Sequence, residues 1–364
     1  MKAKPSHWYR RILPFTGLLI LLSGCAATEV NQIEIKHVQF GGCIWSGGQR
    51  DADVLFQDGA QSIPVADGSL WLFGDTFFGK PQPGKPPQNS QIRGSDWTTL
   101  AFLPSGATNL PPALQYFTDA AGTVSNAIPL LPGEDPKHTR IWPDGGINLD
   151  RRVYLYYSLI GTTDDPGPWN FHGRGGGLSV SDSPLGRFRR LQLGGQWKFP
   201  VEPIQVIREK DMLYLMEVRS GGLILARVKS VNIEAPSAYR FFTGQGWSQD
   251  RSDASVILRE VHGQVSVMRL PAKGGYLLAT SSDFSRPREI QIYRAKDLAG
   301  PWVGPARITV PELPGKKTNL VYCTYLHPEL SGSDSNRVVA TFCRTLDGQW
   351  ALSNPEWLTL ELSR

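Results

Sequence analysis

Four acids sit where a carboxyl group needs an explanation: Asp58, Asp75, Asp144 and Glu217. Asp58 opens the turn Asp58-Gly-Ala60, and Asp75 follows the apolar run Ser69-Leu-Trp-Leu-Phe73 at Gly74-Asp75-Thr76. Asp144 lies in Ile141-Trp-Pro-Asp-Gly-Gly-Ile-Asn148, where two glycines allow close backbone approach, and Glu217 ends the apolar stretch Met212-Leu-Tyr-Leu-Met216. A carboxylate at the end of a buried strand is expensive unless something uses or satisfies it. Unequal burial and mutual repulsion let one acid hold a proton while another stays ionised, which is the raw material of general acid–base chemistry. The plain alternative for Asp58 and Asp144 is a turn or cap, since Asp-Gly is a common turn dipeptide. Glu217 is no turn former, and its alternative is an ion pair with Arg219 or an edge position.

Other side chains fit around such acids as substrate-binding groups. Trp142 precedes Asp144 and offers an aromatic face, as do Trp97, Trp169 and Trp247, although a Trp also serves as core. Asp250 and Asp283 either reach the acids or merely close turns. His327, in Tyr325-Leu-His-Pro-Glu-Leu330, is held extended or in a turn by Pro328 and can bond a hydroxyl or be satisfied structurally. The chain has no GxSxG, HExxH or P-loop pattern and no Cys/His spacing of a zinc site. No cofactor is expected, with Ca²⁺ on clustered acids as the one metal option.

What positions these residues is a recurring strand-and-turn unit. Asp67-Gly-Ser-Leu-Trp-Leu-Phe73, Asp150-Arg-Arg-Val-Tyr-Leu-Tyr-Tyr157, Lys210-Asp-Met-Leu-Tyr-Leu-Met-Glu217 and Lys273-Gly-Gly-Tyr-Leu-Leu-Ala-Thr280 each put a turn before an aromatic-aliphatic strand. A fifth, weaker copy is Asn336-Arg-Val-Val-Ala-Thr-Phe342. Leu178–Phe188 and Ile292–Trp302 share a second pattern of strand, tight turn and hydrophobic anchor, as in the outer hairpin of a propeller blade. Spacings of about 60 to 80 residues suit four-stranded blades with insertions. The expected fold is therefore all-β, a five-bladed β-propeller of four-stranded antiparallel blades over residues 33–364, with a Greek-key sandwich as the alternative. The polar stretches Lys80–Asp96 and Thr162–Gly177 read as solvated loops.

The amino terminus has its own logic. Lys2, Lys4, Arg10 and Arg11 precede an apolar run from Phe15 to Leu22, too short to span a bilayer, and then Leu22-Ser-Gly-Cys25. This resembles a bacterial lipoprotein signal, so residues 1–24 are expected to be removed, Cys25 to carry lipid, and residues 25–32 to form a tether. Ala26 favours the outer membrane, which gives a cell-envelope lipoprotein facing the periplasm or surface. Without residues 1–24 the basic count falls from 38 to 34 against 33 acids. Nothing then argues for nucleic acid, and the chain is expected to be a monomer. Of the other cysteines, Cys323 and Cys343 lie in neighbouring strand-like runs and either pair or stay as buried thiols, leaving Cys43 over.

Asp58-Gly-Ala60 with Trp71-Leu-Phe-Gly-Asp-Thr76, Trp142-Pro-Asp-Gly-Gly146, Ser183-Pro-Leu-Gly186 and Tyr325-Leu-His-Pro-Glu-Leu330 resemble a large bacterial family of five-bladed propellers long of unknown function. Some of its members are endo-D-arabinanases, and it is similar in architecture to arabinanase- and invertase-like glycosidases. The resemblance implies a glycan substrate, with a base or nucleophile on the first blade, an acid on the second that tunes pKa and orients the sugar, and a Glu acid on the third. By position these fall on Asp58 or Asp75, Asp144 and Glu217, with inversion implied by analogy. A non-catalytic propeller that binds carbohydrate or an envelope protein is the alternative.

Overall fold

The computed structural model describes residues 33–44, 54–80, 91–107, 109–164, 170–184, 186–192, 199–219, 222–270, 274–331, 336–347 and 353–363. Cys25 and Trp169 fall outside them. Among the described residues no helix is long and apolar enough to cross a membrane.

Five antiparallel sheets make a five-bladed β-propeller. Strand β1 (Ile35–Cys43) starts the fold, and β2 (Val54–Val65), β3 (Gly68–Lys80), β4 (Gln91–Asp96), β5 (Thr99–Pro104) and β6 (Gln115–Tyr116) form blade 1. Blade 2 comprises β7 (Thr139–Leu149), β8 (Arg152–Thr162), β9 (Phe171–Ser181) and β10 (Arg189–Arg190). Blade 3 comprises β11 (Gln205–Glu209), β12 (Met212–Arg219), β13 (Gly222–Lys229), β14 (Arg240–Phe242), β15 (Trp247–Ser248) and β16 (Val256–Arg259). Blade 4 is β17 (Val265–Arg269), β18 (Tyr276–Ser281), β19 (Glu289–Ala295) and β20 (Val303–Thr309). In blade 5, β21 (Thr318–Leu326), β22 (Arg337–Leu346) and β23 (Pro355–Leu362) are completed by β1, which pairs with β23 from Ile35↔Leu362 to Cys43↔Glu356. The ring is thus closed by joining the two ends of the chain in one sheet.

The recurring unit now has a place: every copy leads into the second strand of a blade, namely β3, β8, β12, β18 and β22. Two of its turns have a left-handed first residue, Asp150 (φ 55°) and Lys210 (φ 57°), as two-residue hairpins between right-twisted strands require. The strands that follow are nearly all apolar because both their faces are covered. Leu70 and Leu72 pack toward blade 2, while Trp71 and Phe73 pack toward blade 5. Five such cores, one between each pair of neighbouring blades, hold the ring. Trp71, fully buried and stacked at 4.3 Å on His327, is one anchor, and truncating it to Ala would remove about 3–5 kcal/mol.

The two stretches expected as loops carry strands. β9 begins at Phe171 inside the glycine-rich run, and β4 at Gln91. Glycines Gly173 to Gly177 lie opposite Tyr157 to Ile160, and a Cβ on Gly177 would lie 2.2 Å from the Tyr157 hydroxyl. The run is a strand stripped of side chains to admit those of its neighbours. Cys323 and Cys343 are both buried free thiols, so the pairing option is not taken.

Candidate active site

The innermost strands β2, β7, β11, β17 and β21 surround the axis, and those of blades 1, 2 and 5 leave regular pairing at chemically loaded positions. On β2, Gln57↔Thr76 is followed by Gly59↔Phe73, which leaves Asp58 in a bulge opposite Gly74 and Asp75. On β7, Pro143↔Tyr157 is followed by Gly146↔Leu155, so Asp144 also stands in a bulge. On β21 the register shifts between Tyr322 and Tyr325, and Cys323 is left-handed at φ 51°. Bulges re-aim side chains, and a non-glycine at positive φ, such as Ala60 at 86° beside Asp58, marks stored strain.

Asp58 is held by groups from blades 1 and 5. It accepts a hydrogen bond from the backbone N–H of Asp75, and the Tyr322 hydroxyl lies 3.5 Å from its Oδ2. Burial, with the adjacent Asp75 charge, pushes its carboxyl up to about 8. Gly74 makes the fit possible, because a Cβ there would lie 2.4 Å from Asp58 Oδ1. Asp75, in the middle of β3, is occupied on both oxygens: Trp142 Nε1 donates to Oδ1 at 2.8 Å and Arg140 Nη1 to Oδ2 at 3.2 Å. Burial still raises its pKa, and Arg140 opposes that rise. Arg140 and Trp142 share one face of β7 by the two-residue period of a strand, so blade 2 neutralises an acid of blade 1. The Arg140 guanidinium also lies 4.5 Å over the ring of Trp97.

Asp144 accepts from Ser158 Oγ at 2.7 Å. Burial, opposed by that bond, lifts its carboxyl to about 8, and the charges of Glu202 and Glu217 add to the rise. Glu202 escaped the sequence reading. It stands just before β11 in Val201-Glu-Pro203, and its Cγ lies where Gly176 lacks a side chain, 2.7 Å from a Cβ placed there. Gly145 N–H donates to Pro203 O at 2.9 Å, which ties the Asp144 bulge to this segment. Gln61 Nε2 donates to Ile204 O at 3.0 Å and ties blade 1 to blade 3. Glu202, rather than Glu217, therefore occupies the innermost chain of blade 3, as Asp58 and Asp144 do in blades 1 and 2. Its only sequence signal was a Glu before a proline that forces extended backbone ahead of a strand.

Glu217 lies one strand further out, on β12. Its side chain is 6% exposed and pairs with Arg251, with Arg219 Nε at 3.6 Å. Burial raises its pKa while Arg251 pulls it down. Its Oε2 and the Arg251 Nε are buried without a hydrogen-bond partner.

The remaining candidates are placed elsewhere. His327 is completely buried, stacked on Trp71, with Nε2 2.8 Å from Thr341 Oγ1 and Nδ1 3.0 Å from Ser62 Oγ; it braces blade 5 against blade 1 and presents no face to a ligand. Asp250 is exposed and caps the turn that carries Arg251, accepting from Ser252 N and Oγ at 2.8 Å each. Asp283 does the same for Ser285 N, at 2.9 Å, and both carboxyls are lowered by these bonds. A polar residue beside turn formers is as readily explained by the turn, which is why sequence did not separate them from the axial acids. Trp247 packs with Phe242 and under Arg227 as blade core, whereas Trp97 and Trp142 are half-buried beside Asp75. Among the described residues no group of three or more His, Cys, Asp or Glu side chains is arranged to hold a metal ion, so the Ca²⁺ option finds no ligand set there.

A family model described as a domain of unknown function, DUF4185, matches residues 58–344. Among solved structures, a Bacteroides ovatus protein described as a "putative hydrolase" aligns with TM-score 0.59 at 16% identity, over 84% of this chain and 85% of its own. An exo-β-1,3-galactanase from Phanerochaete chrysosporium aligns with TM-score 0.51 at 12% identity, over 88% of this chain and 64% of its own. An exo-β-1,3-galactanase from Clostridium thermocellum aligns with TM-score 0.50 at 12% identity, over 90% and 63%. This chain thus spans under two thirds of the length of either galactanase. At these identities the likeness is one of fold. No curated protein matches the sequence.

Proposed function

The chain belongs to the DUF4185 family, and from that membership and its axial acids we propose that it is a glycoside hydrolase using Asp58 and Glu202 as its working carboxyls with Asp144 between them. The observation that carries the reading is that each of three successive blades sets one acid on or just before its innermost strand, Asp58 and Asp144 in bulges and shifted to about 8, with the charge of Glu202 acting on Asp144. Glycoside hydrolysis needs a base to activate water and an acid to protonate the leaving oxygen, and a third acid sets their proton affinities. Asp58 is the base, because the two groups that bond it, the Asp75 N–H and the Tyr322 hydroxyl, are donors that favour its ionised form against the burial and the Asp75 charge that raise it. Glu202 replaces Glu217 as the acid. Asp75 and Glu217, each paired to an arginine, act as fixed charges behind the working pair. Trp142 and Trp97 supply apolar surface for a sugar face.

The substrate class is a furanosyl glycan such as D-arabinan, following the family resemblance; water that gives its proton to Asp58 attacks the anomeric carbon as the glycosidic bond breaks and Glu202 protonates the leaving oxygen, which gives inversion. The lipobox supports a form anchored through lipid on Cys25 in the outer membrane, checked by palmitate labelling that Cys25→Ser abolishes. The decisive experiment is release of reducing ends from a panel including D-arabinan and β-1,3-galactan, by wild type and by Asp58→Asn, Asp144→Asn and Glu202→Gln. Cleavage lost in all three folded variants is expected. Cleavage untouched by the three would overturn the assignment, and saturable glycan binding without cleavage by wild type would favour the non-catalytic propeller.

A further inference from the structure

Tyr322 comes from the innermost strand of blade 5, whereas Asp75 lies on the second strand of Asp58's own blade. Its ring packs with the buried Cys323, Tyr325 and Cys343, and its hydroxyl lies between two partners, Ser353 Oγ at 2.6 Å and Asp58 Oδ2 at 3.5 Å. Ser353 is itself buried and fixed to the same strand as Asp58, since its carbonyl accepts from Gln57 N–H at 3.0 Å. The three groups therefore form a short chain, Asp58–Tyr322–Ser353, with fixed ends. A phenol has one proton to donate, and Ser353 can donate or accept.

We propose that Tyr322 is a positioning residue for Asp58, its hydroxyl donating to Asp58 when that carboxyl is ionised and to Ser353 when it is protonated. This rests on the glycosidase reading for its consequence in turnover, but not for the hydrogen-bond exchange itself. With Asp58 ionised, Ser353 donates to Tyr322 and Tyr322 closes on Oδ2, holding one oxygen still while the other meets water. With Asp58 protonated, Tyr322 turns to Ser353 and the longer 3.5 Å contact is what remains. No proton leaves the chain in the exchange; only the direction of two hydrogen bonds changes. The other titratable groups facing Asp58 are Asp75 from β3, Arg140 from β7, Cys323 and Tyr325 from β21 and Cys343 from β22. Asp75 pushes the carboxyl up, Arg140 pulls it down, and among the described residues Tyr322 is the side chain that bonds it directly.

The test uses Tyr322→Phe and Ser353→Ala in the full chain, read by the Asp58 carboxyl in ¹³C NMR, identified by its loss in Asp58→Asn. Removing the phenol hydroxyl takes away a donor to the anion, so the Asp58 midpoint should rise by up to about one pH unit. Removing Ser353 Oγ takes away the competing acceptor, so the midpoint should fall or the Asp58–Tyr322 bond tighten. In turnover of whichever panel glycan the wild type cleaves, Tyr322→Phe should move the Asp58 limb of the pH–rate profile upward with kcat reduced and KM little changed. A purely structural Tyr322 would alter melting temperature and leave both midpoints where they are, which would overturn the proposal. Midpoints shifted in the same direction by both variants would overturn it too. If wild type cleaves nothing on the panel, the glycosidase reading fails while the titration still decides this one.

Discussion

Blades 1 and 3 each set one candidate acid on the innermost chain, Asp58 and Glu202, and a second on the next strand out, Asp75 and Glu217. In both, the outer acid is neutralised by an arginine: Asp75 by Arg140 from β7, and Glu217 by Arg251 from the capped turn within blade 3. The difference lies in what remains. Asp75 has a partner on each oxygen, Trp142 on one and Arg140 on the other, whereas Glu217 keeps a buried Oε2 with none. Blade 1 is complete as it stands, and blade 3 has a desolvated acceptor that a ligand hydroxyl or water would satisfy.

The largest expected effect separates inner from outer acids. Asp58→Asn and Glu202→Gln should each lower kcat by about 10²–10⁴-fold, the usual worth of a general base or acid, while melting temperatures stay close to wild type. Asp75→Asn and Glu217→Gln should lower kcat far less, since they remove charges behind the reacting groups. Initial rates on the cleaved glycan decide it: if Glu217→Gln is the deeper lesion, the third-blade acid is Glu217 and the two blades use different strands.

Next in size is the response to losing an arginine. Arg251→Met leaves the nearly enclosed Glu217 with Arg219 alone, and an unfolding free energy lower by about 2–3 kcal/mol is expected. Arg140→Met leaves Asp75 its Trp142 bond, and because both partners keep some exposure, 20% for Asp75 and 27% for Arg140, the loss should be about 1–2 kcal/mol. Urea unfolding of the two variants measures the difference. Equal losses would mean that the indole bond contributes little and that the blades are equivalent.

The comparison also marks what was legible in the sequence. The repeat of turn and apolar strand was readable because β3, β8, β12, β18 and β22 are covered on both faces and need continuous apolar residues. Asp58, Asp75 and Asp144 were readable because Asp beside Gly at a strand end is a local pattern. Glu217 drew attention as an acid in an apolar strand, and its arginine neighbour was foreseen as Arg219, whereas Arg251 makes the direct pair. Glu202 had no local oddity; what identifies it is Gly176, which is distant in the sequence and adjacent in space. Tyr322 meets Asp58 across 264 positions, and β1 meets β23 only when the ring closes. Such contacts follow from topology, which periodicity along one strand does not encode.

The smallest effect is on stability against pH, and its sign follows from which acids are shifted. Asp58 and Asp144 are raised in the folded protein from 3.8 to about 8. Between those values the folded state keeps protons that the unfolded chain has released, so stability is fully present below about pH 3.8 and declines as pH rises toward 8. Each carboxyl retains partial exposure, so the decline attributable to one of them is smaller than the full linkage of a wholly enclosed acid. Asp58→Asn, whose amide has no proton to retain, should flatten the curve and leave the variant more stable than wild type at pH 8. Melting curves at pH 5, 6.5 and 8 read this directly. A wild type that gains stability over that range would mean that Asp58 and Asp144 are ionised at rest, and would turn blade 1 from a base awaiting deprotonation into one already charged.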